Sequence, residues 1–164
     1  MAKAGIKFNK KDEWYTPKEV VDLFGPFDYD PCTTKERAEY CGIKNYDTAK
    51  TDGLESDWTN YKRIWVNPPF SKKFEFLLKA TQSLEEMDGD AEIYFLMPID
   101  SLTTKIFHDI IVGTNYELLI PDGRINFENG AGGSTSSPAF GTVILKLGYM
   151  DSCVRHWRLY ASRD

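Results

Sequence analysis

The chain has 164 residues, of which 41% are hydrophobic and 14% aromatic, enough for one globular domain with a buried core. Its formal net charge of -5 argues against a protein that binds nucleic acid by overall charge, but leaves a local basic face open. No apolar run approaches the roughly 20 residues of a membrane span, and the start lacks a signal-peptide pattern.

Cysteine usage indicates a reducing compartment. The chain has three cysteines, no CxxC pair and only two histidines, so it offers neither a zinc site nor a disulfide framework. We therefore expect a soluble, cytoplasmic protein that needs no metal.

The first helical pattern begins near residue 16. Before it, residues 1–11 carry four lysines and no acid, which fits either a solvated tail or an arm that contacts phosphate. Thr16 as N-cap, Pro17 at the first helical position and Glu19 three residues after Thr16 form a capping box. The same helix N-terminus would offer free amides to a carboxylate or phosphate, so both interpretations stay open.

A short strand is predicted over residues 27–30, where apolar and acidic residues alternate until Pro31 ends the pattern. An acid at a strand's carboxyl end can bind a cofactor's amino group or hydroxyl, which makes Asp30 a candidate. A short helix is predicted over residues 35–41. In the weakly periodic stretch that follows, Asp52 is either a cofactor contact or an ordinary capping residue. The chain lacks the GxGxxG motif of a dinucleotide-binding loop.

A rigid turn is predicted where an apolar strand, residues 64–66, runs into Asn67, Pro68, Pro69 and Phe70. Two prolines can neither continue a sheet ladder nor sit inside a helix, so they fix the turn at the strand's carboxyl end. In an open α/β sheet this edge binds ligands. The turn presents two acceptors, the Asn67 side chain and the Pro68 carbonyl, beside an aromatic face. This arrangement suits an amino group on a planar ring.

The helix predicted after this turn has an unusual first turn. Ser71 can cap it, and the apolar spacing continues to residue 87. Lys72 and Lys73 lie where the helix dipole disfavours cations by a few tenths to about 1 kcal/mol. Either an anion such as a nucleic-acid phosphate binds there, or the lysines are exposed and the penalty matters little.

The remaining pattern alternates strands and helices and then ends in strands. Strands are predicted over 92–98, 115–121, 124–127 and 140–147, a helix over 101–112, and a functional or mobile loop over 129–138. The segment after residue 150 is left unassigned. This order predicts a single three-layer α/β domain.

Several short motifs occur in a fixed order along the chain. They are Glu13-Trp14-Tyr15-Thr16-Pro17, Asp28-Tyr29-Asp30-Pro31-Cys32, Asp52-Gly53-Leu54 with Asp57-Trp58, Asn67-Pro68-Pro69-Phe70-Ser71, and Gly123-Arg124-Ile125-Asn126-Phe127 followed by Ser137-Pro138.

With this set the chain resembles the phage-type DNA N6-adenine methyltransferases, the phage Dam-like family of S-adenosylmethionine-dependent amino-methyltransferases. The resemblance implies a Rossmann-like class I methyltransferase fold over residues 1–164, with a mostly parallel sheet and a C-terminal antiparallel hairpin. It further implies S-adenosyl-L-methionine as cofactor, DNA as substrate and a bacterial or phage-infected cell as setting.

The resemblance also assigns roles to individual residues. Those expected to hold the cofactor are Trp14, Tyr15, Thr16, Pro17, Asp30, Pro31, Cys32 and Asp52. Those expected to act on the target amine are Asn67, Pro68, Pro69 and Phe70, with the target base flipped out of the duplex. Those expected to contact DNA phosphates are Lys72, Lys73 and Arg124.

The turn alone does not select adenine. Cytosine N4, RNA and a protein glutamine amide all offer a planar amine or amide that the same acceptors could bind. A module that has lost catalysis and only binds cofactor or DNA is a further alternative, which an intact Asn67-Pro68-Pro69-Phe70 turn argues against.

Overall fold

The computed structural model describes residues 14–128, 135–136, 140–149 and 151–157. The strands are β1 (Tyr29–Asp30), β2 (Asn45–Tyr46), β3 (Arg63–Val66), β4 (Glu92–Pro98), β5 (Tyr116–Pro121), β6 (Phe127–Glu128), β7 (Thr135–Ser136), β8 (Thr142–Gly148) and β9 (Cys153–Trp157). The α-helices are α1 (Lys18–Phe24), α2 (Lys35–Cys41), α3 (Lys73–Glu86) and α4 (Lys105–Ile111).

Seven of the strands form one sheet in the order β2-β1-β3-β4-β8-β5-β9. The pairs β1–β2, β1–β3, β3–β4 and β5–β9 are parallel. Strand β8 lies between β4 and β5 and is antiparallel to both, which gives the antiparallel C-terminal pairing that the sequence predicts. Since β1, β3, β4 and β5 run the same way, their carboxyl ends share one edge of the sheet.

Alternating side chains of the central strands build a core on each face of the sheet. Ile64 and Val66 of β3 pack with α3 and α4 on one face. Trp65, between them, faces the other side, where it packs with Val20 and Val21 of α1. The result is a three-layer α/β sandwich with a mostly parallel sheet, so the predicted fold class is confirmed.

Helix α2 and strand β4 have the bounds that the sequence predicts. The Thr34 side chain accepts a hydrogen bond from the Arg37 backbone N–H at the start of α2, and Gly42 ends the helix in the left-handed region with φ 72°. Strand β4 is buried at all but its first residue, as a continuous apolar run requires.

The capping box predicted at Thr16 is wrong. Helix α1 begins at Lys18, its N-cap is Pro17, and no side chain caps it. The reason is tertiary, because the Thr16 hydroxyl instead accepts a hydrogen bond from the Asn67 side chain at 3.2 Å. The Thr16 hydroxyl oxygen therefore serves as an acceptor for Asn67 and does not cap α1.

Other boundaries also differ from the prediction, and the strand predicted over residues 124–127 is reduced to β6 (Phe127–Glu128). Ser71 does not cap α3, because residues Phe70–Lys72 form a 3₁₀ turn first. A second 3₁₀ turn, Ile99–Thr103, precedes α4, which Thr104 caps. Strand β1 is shorter than predicted because the Asp28 carboxylate accepts the backbone N–H groups of residues 62 and 63, each at 2.9 Å.

Strand β9 is an element that the sequence left unassigned. It pairs parallel to β5, with Leu118 opposite Val154. At the other end, the predicted basic tail over residues 1–11 lies outside the described residues, as does the predicted loop over 129–138 apart from β7. Among the described residues, none of the helices is both long enough and apolar enough to cross a membrane.

Candidate active site

A cavity of about 370 Å³ lies at the carboxyl edge of the sheet, between the ends of β1 and β3. Five of the residues predicted to hold a cofactor line it: Trp14, Tyr15, Thr16, Asp30 and Cys32. Of the residues predicted to act on the target amine, Asn67 and Pro69 line it as well. The structure therefore brings together motifs that lie more than 50 residues apart in the chain.

The Asn67 side chain has a defined orientation in this site. Its Nδ2 group donates to the Trp14 backbone carbonyl and, at 3.2 Å, to the Thr16 hydroxyl. A carbonyl oxygen can only accept, so the amide nitrogen must face Trp14. The Oδ1 atom is thereby turned the other way, as an acceptor presented by a pre-set side chain.

A chain of contacts joins the end of β1 to the Asn67 turn. The Asp30 carboxylate accepts from the Cys32 backbone N–H at 3.0 Å, and the Cys32 Sγ donates to the Asn67 backbone carbonyl at 3.3 Å. Burial, followed by the nearby Asp30 carboxylate, raises the pKa of the Cys32 thiol well above its ordinary value. The thiol consequently keeps its proton and acts as a donor that holds the turn.

Asp30 itself is a buried carboxyl at the cavity wall, with 6% of its surface exposed. Burial raises its pKa to about 7, although the Cys32 backbone N–H and the Arg37 guanidinium both lower it. A carboxyl held in this way favours a ligand that donates a hydrogen bond to it, such as an amino group or a hydroxyl. Perturbed carboxyls in clefts are typical of functional sites.

Asp52 does not line the cavity. It adopts a positive φ of 60°, and its Oδ1 accepts the Leu54 backbone N–H at 3.1 Å. The next residue, Gly53, lies so close to Pro31 that an added Cβ would stand 1.9 Å from the Pro31 carbonyl oxygen. Gly53 thus packs against Pro31, between the cavity residues Asp30 and Cys32, and a direct contact of Asp52 or Pro31 with a cofactor stays a prediction.

Pro17 and Pro68 also lie outside the residues that line the cavity. The Pro17 carbonyl accepts the backbone N–H groups of residues 20 and 21 at the start of α1, at 3.0 and 3.2 Å. Pro68 is buried within the turn. Their predicted roles stay predictions.

Phe70 lies half-buried beside the site, with its ring centroid 5.0 Å from that of Phe140 in an edge-to-face arrangement. Lys73 donates from Nζ to the Phe70 carbonyl at 3.3 Å, while Lys72 pairs with Glu75 at 3.3 Å. Glu75 lies in the first turn of α3, where its negative charge offsets part of the repulsion between the two lysines and the helix dipole.

Arg124 is exposed and follows the turn after β5, at the same sheet edge but outside the cavity lining. The predicted phosphate contacts of Lys72, Lys73 and Arg124 stay predictions. All three residues lie toward the edge at which the parallel strands end.

Several residues of the cavity wall received no site role from the sequence, and two parts of that wall illustrate why. One is Arg37 on α2, which is only 4% exposed, and the other is residues 48–50 in the segment after β2. A charged residue in a short helix usually faces solvent, so no local signal marks Arg37 as buried. Residues 48–50 belong to an irregular stretch without a pattern of its own.

The described residues contain no group of three or more His, Cys, Asp or Glu side chains arranged to hold a metal ion. What the fold and site define is an α/β protein with a ligand cavity at the carboxyl ends of parallel strands, next to an Asn-Pro-Pro-Phe turn whose amide is held in one orientation. A family model described as "DNA N-6-adenine-methyltransferase (Dam)" matches residues 3–150. The chain belongs to this family, so the predicted resemblance is confirmed.

Two individual proteins illustrate the relationship. The chain is 31% identical over 97 residues to a "DNA N-6-adenine-methyltransferase" of Escherichia phage T1, an alignment that covers 57% of this chain and 38% of that protein. A solved structure from Listeria monocytogenes, described as a putative class I S-adenosylmethionine-dependent methyltransferase, is 12% identical with a TM-score of 0.47, covering 89% of this chain and 54% of that one. The chain thus spans less than two thirds of the length of either relative.

Proposed function

We propose that this protein transfers a methyl group from S-adenosyl-L-methionine to the exocyclic N6 amine of adenine in DNA. The observation that carries the proposal is the Asn67 carboxamide, whose nitrogen is held by Trp14 and Thr16 so that Oδ1 stands ready as an acceptor. Membership of the DNA N-6-adenine-methyltransferase family supports adenine and DNA as the substrate.

The chemistry requires acceptors for the amine hydrogens. The lone pair of the adenine amine is shared with the ring, which makes the amine a poor nucleophile. If Asn67 Oδ1 and the Pro68 carbonyl each accept one hydrogen, the lone pair is drawn out of the ring plane. Because hydrogen bonds and prolines fix both acceptors beforehand, little reorganisation is needed at the reaction. Asn67 cannot act as a base near neutral pH, so the proton leaves after transfer, to water.

The cavity residues fit S-adenosylmethionine. The cofactor carries an adenosine, a cationic sulfur and a charged amino acid, and the wall offers the aromatic rings of Trp14 and Tyr15 together with the buried Asp30 carboxyl. Cys32 and Thr16 complete the set that would hold it. When bound, the cofactor supplies an electrophilic methyl group. A buried carboxyl whose pKa is raised gains most from a partner that is cationic or donates a hydrogen bond.

The target base must leave the duplex to reach Asn67. Unstacking costs a few kcal/mol, which stacking on the Phe70 ring would offset. Phe70 follows Pro69 at the end of the turn and is partly exposed. Lys72, Lys73 and Arg124 would contact the phosphates that flank the extruded nucleotide.

The proposal is tested by incubation with tritiated S-adenosylmethionine and unmethylated duplex DNA, followed by nucleoside analysis. We expect label in N6-methyl-2′-deoxyadenosine of the DNA digest. Label in N4-methylcytosine, or in RNA or protein only, would overturn the adenine assignment.

A variant tests the role of the turn. Asn67→Ala should reduce transfer by at least about 100-fold, as expected on loss of a pre-organised polar group, with cofactor affinity nearly unchanged. Asn60→Ala, at an exposed asparagine outside the cavity, is the matched control and should retain full activity. Transfer by Asn67→Ala at the wild-type rate would contradict the mechanism. Loss of cofactor binding would mean that Asn67 holds the cofactor and not the target amine.

A further inference from the structure

Arg37 is a buried cation to which the proposed function assigns no direct role. The residue is 4% exposed on α2, and its side chain lies at the cavity wall. Taking a guanidinium out of water costs several kcal/mol unless partners satisfy it. A short helix that only had to cover the sheet would be better served by an apolar residue at this position.

The partners of Arg37 reveal what it holds. One guanidinium nitrogen, Nη2, donates to the Thr16 backbone carbonyl, and Nη1 donates to the Glu128 carboxylate at 2.8 Å. The guanidinium carbon also lies 5.6 Å from the centre of the Tyr15 ring. Arg37 therefore contacts the segment 14–16 and the end of β6 at the same time.

The same segment is what orients Asn67. Both the Trp14 carbonyl and the Thr16 hydroxyl accept from Asn67 Nδ2. Tyr15, between them, exchanges two backbone hydrogen bonds with Glu128, at 3.3 and 2.8 Å. Residues 14–16 belong to neither a helix nor a multi-residue strand, so these contacts fix their position. Asn67, the segment, Glu128 and Arg37 form one connected network.

We propose that Arg37 is a positioning residue that sets the Asn67 carboxamide through Thr16. The inference rests on the proposed function, in which Asn67 Oδ1 accepts a hydrogen of the target amine. Without Arg37 the Thr16 carbonyl loses its charged donor, and the segment 14–16 loses the contact that anchors it at Thr16. An Asn67 amide free to turn would present Nδ2 to the amine, donor against donor, and the lone pair would not be drawn out of the ring.

The test compares Arg37→Met, which keeps the apolar stem, with Thr16→Val, which removes only the hydroxyl. Glu39→Gln, at an exposed position of α2, is the control and should behave as the wild type. For Arg37→Met and Thr16→Val we expect the single-turnover rate at saturating cofactor and DNA to fall about 10- to 100-fold, as for misplaced catalytic groups. For Arg37→Met the cofactor Kd and the KM for DNA should change less than about threefold. Thr16 is also proposed to hold the cofactor, so Thr16→Val is compared only by its rate at saturating cofactor.

A double variant separates this role from general support of the fold. If Arg37 acts through Thr16, Arg37→Met with Thr16→Val should lose little more than the worse single variant. Additive losses would overturn the proposal, as would a rate that returns to the wild-type value at saturating cofactor, because that would make Arg37 a cofactor ligand. A lowered melting temperature with an unchanged rate per folded molecule would reduce Arg37 to a structural role.

A readout independent of activity separates this inference from the proposed function. The side-chain NH₂ resonances of Asn67, assigned by their loss in Asn67→Ala, should be protected from solvent exchange in the wild type and exposed in Arg37→Met. If the wild type transfers no methyl group to any substrate while this difference is seen, the proposed function fails and the positioning stands. If the resonances exchange equally in both proteins, the positioning fails whatever the activity.

Discussion

Replacement of Asp30 by Asn should stabilise the folded protein at pH 8 while weakening cofactor binding. The side chain is 6% exposed, and burial raises its pKa from an ordinary 3.8 to about 7. Asn keeps the oxygen that accepts the Cys32 backbone N–H. It removes only the charge that burial penalises, so the substitution isolates that penalty.

The magnitude follows from the pKa. A difference of about three pH units, at 1.36 kcal/mol per unit, makes the ionised Asp30 cost up to about 4 kcal/mol in the free energy of unfolding. Between pH 4 and 7 the folded state keeps a proton that the unfolded chain has lost. Asp30 therefore contributes stability at low pH that disappears as the pH rises toward 7. We expect Asp30→Asn to match the wild type at pH 4 and to exceed it by about 2–4 kcal/mol at pH 8.

Thermal denaturation followed by circular dichroism, at pH values from 4 to 8, measures this difference. For a chain of this length, 2–4 kcal/mol corresponds to a rise in Tm of about 5–15 °C. Asp57→Asn is a control whose stability change has the opposite sign, because hydrogen bonds from Thr59 lower the pKa of the exposed Asp57 carboxyl. This control should lose a little stability at neutral pH and none at acidic pH.

Calorimetric titration with S-adenosylmethionine completes the test. If Asp30 binds a donor group of the cofactor, Asp30→Asn should raise the Kd at least about tenfold, the cost of one charged hydrogen bond. A variant that is more stable yet binds more weakly identifies a residue kept for function. An Asp30→Asn protein less stable than the wild type at pH 8 would contradict a charge penalty at Asp30, as would a stability difference that does not change with pH.

Three further predictions follow from single contacts. Gly53→Ala should cost at least about 2–3 kcal/mol in thermal or urea unfolding because its Cβ would stand 1.9 Å from a backbone oxygen, whereas Gly89→Ala, with nothing within 4 Å, should be near neutral. Equal stabilities would contradict this packing. Phe70→Ala should weaken binding of a DNA with an extrahelical target base by about 1–3 kcal/mol, with little change in Tm. A clear fall in Tm with unchanged DNA affinity would contradict its stacking role. Lys72→Gln and Lys73→Gln should each lower the slope of log affinity against log salt by about 0.9, and an unchanged slope would exclude a phosphate contact.

The sequence determined the features that local physics controls. The threonine and glycine at the ends of α2 place its bounds, and the unbroken apolar run of β4 identifies a central strand. The two prolines after β3 predict a rigid turn at a strand end, and Asn67 opens that turn. In each case the deciding residues lie within a few positions of one another, so no distant partner is needed.

Other features were decided only by tertiary structure. Strand β9 exists because the neighbouring edge of β5 was available to pair with it. The Thr16 hydroxyl leaves its expected helix cap for a partner 51 residues away, and the burial of Arg37 depends on a carboxylate 91 residues away. Local periodicity carries no information about contacts at such separations. The orientation of the Asn67 amide, on which the proposed chemistry depends, therefore emerges only when the chain has brought these distant groups together.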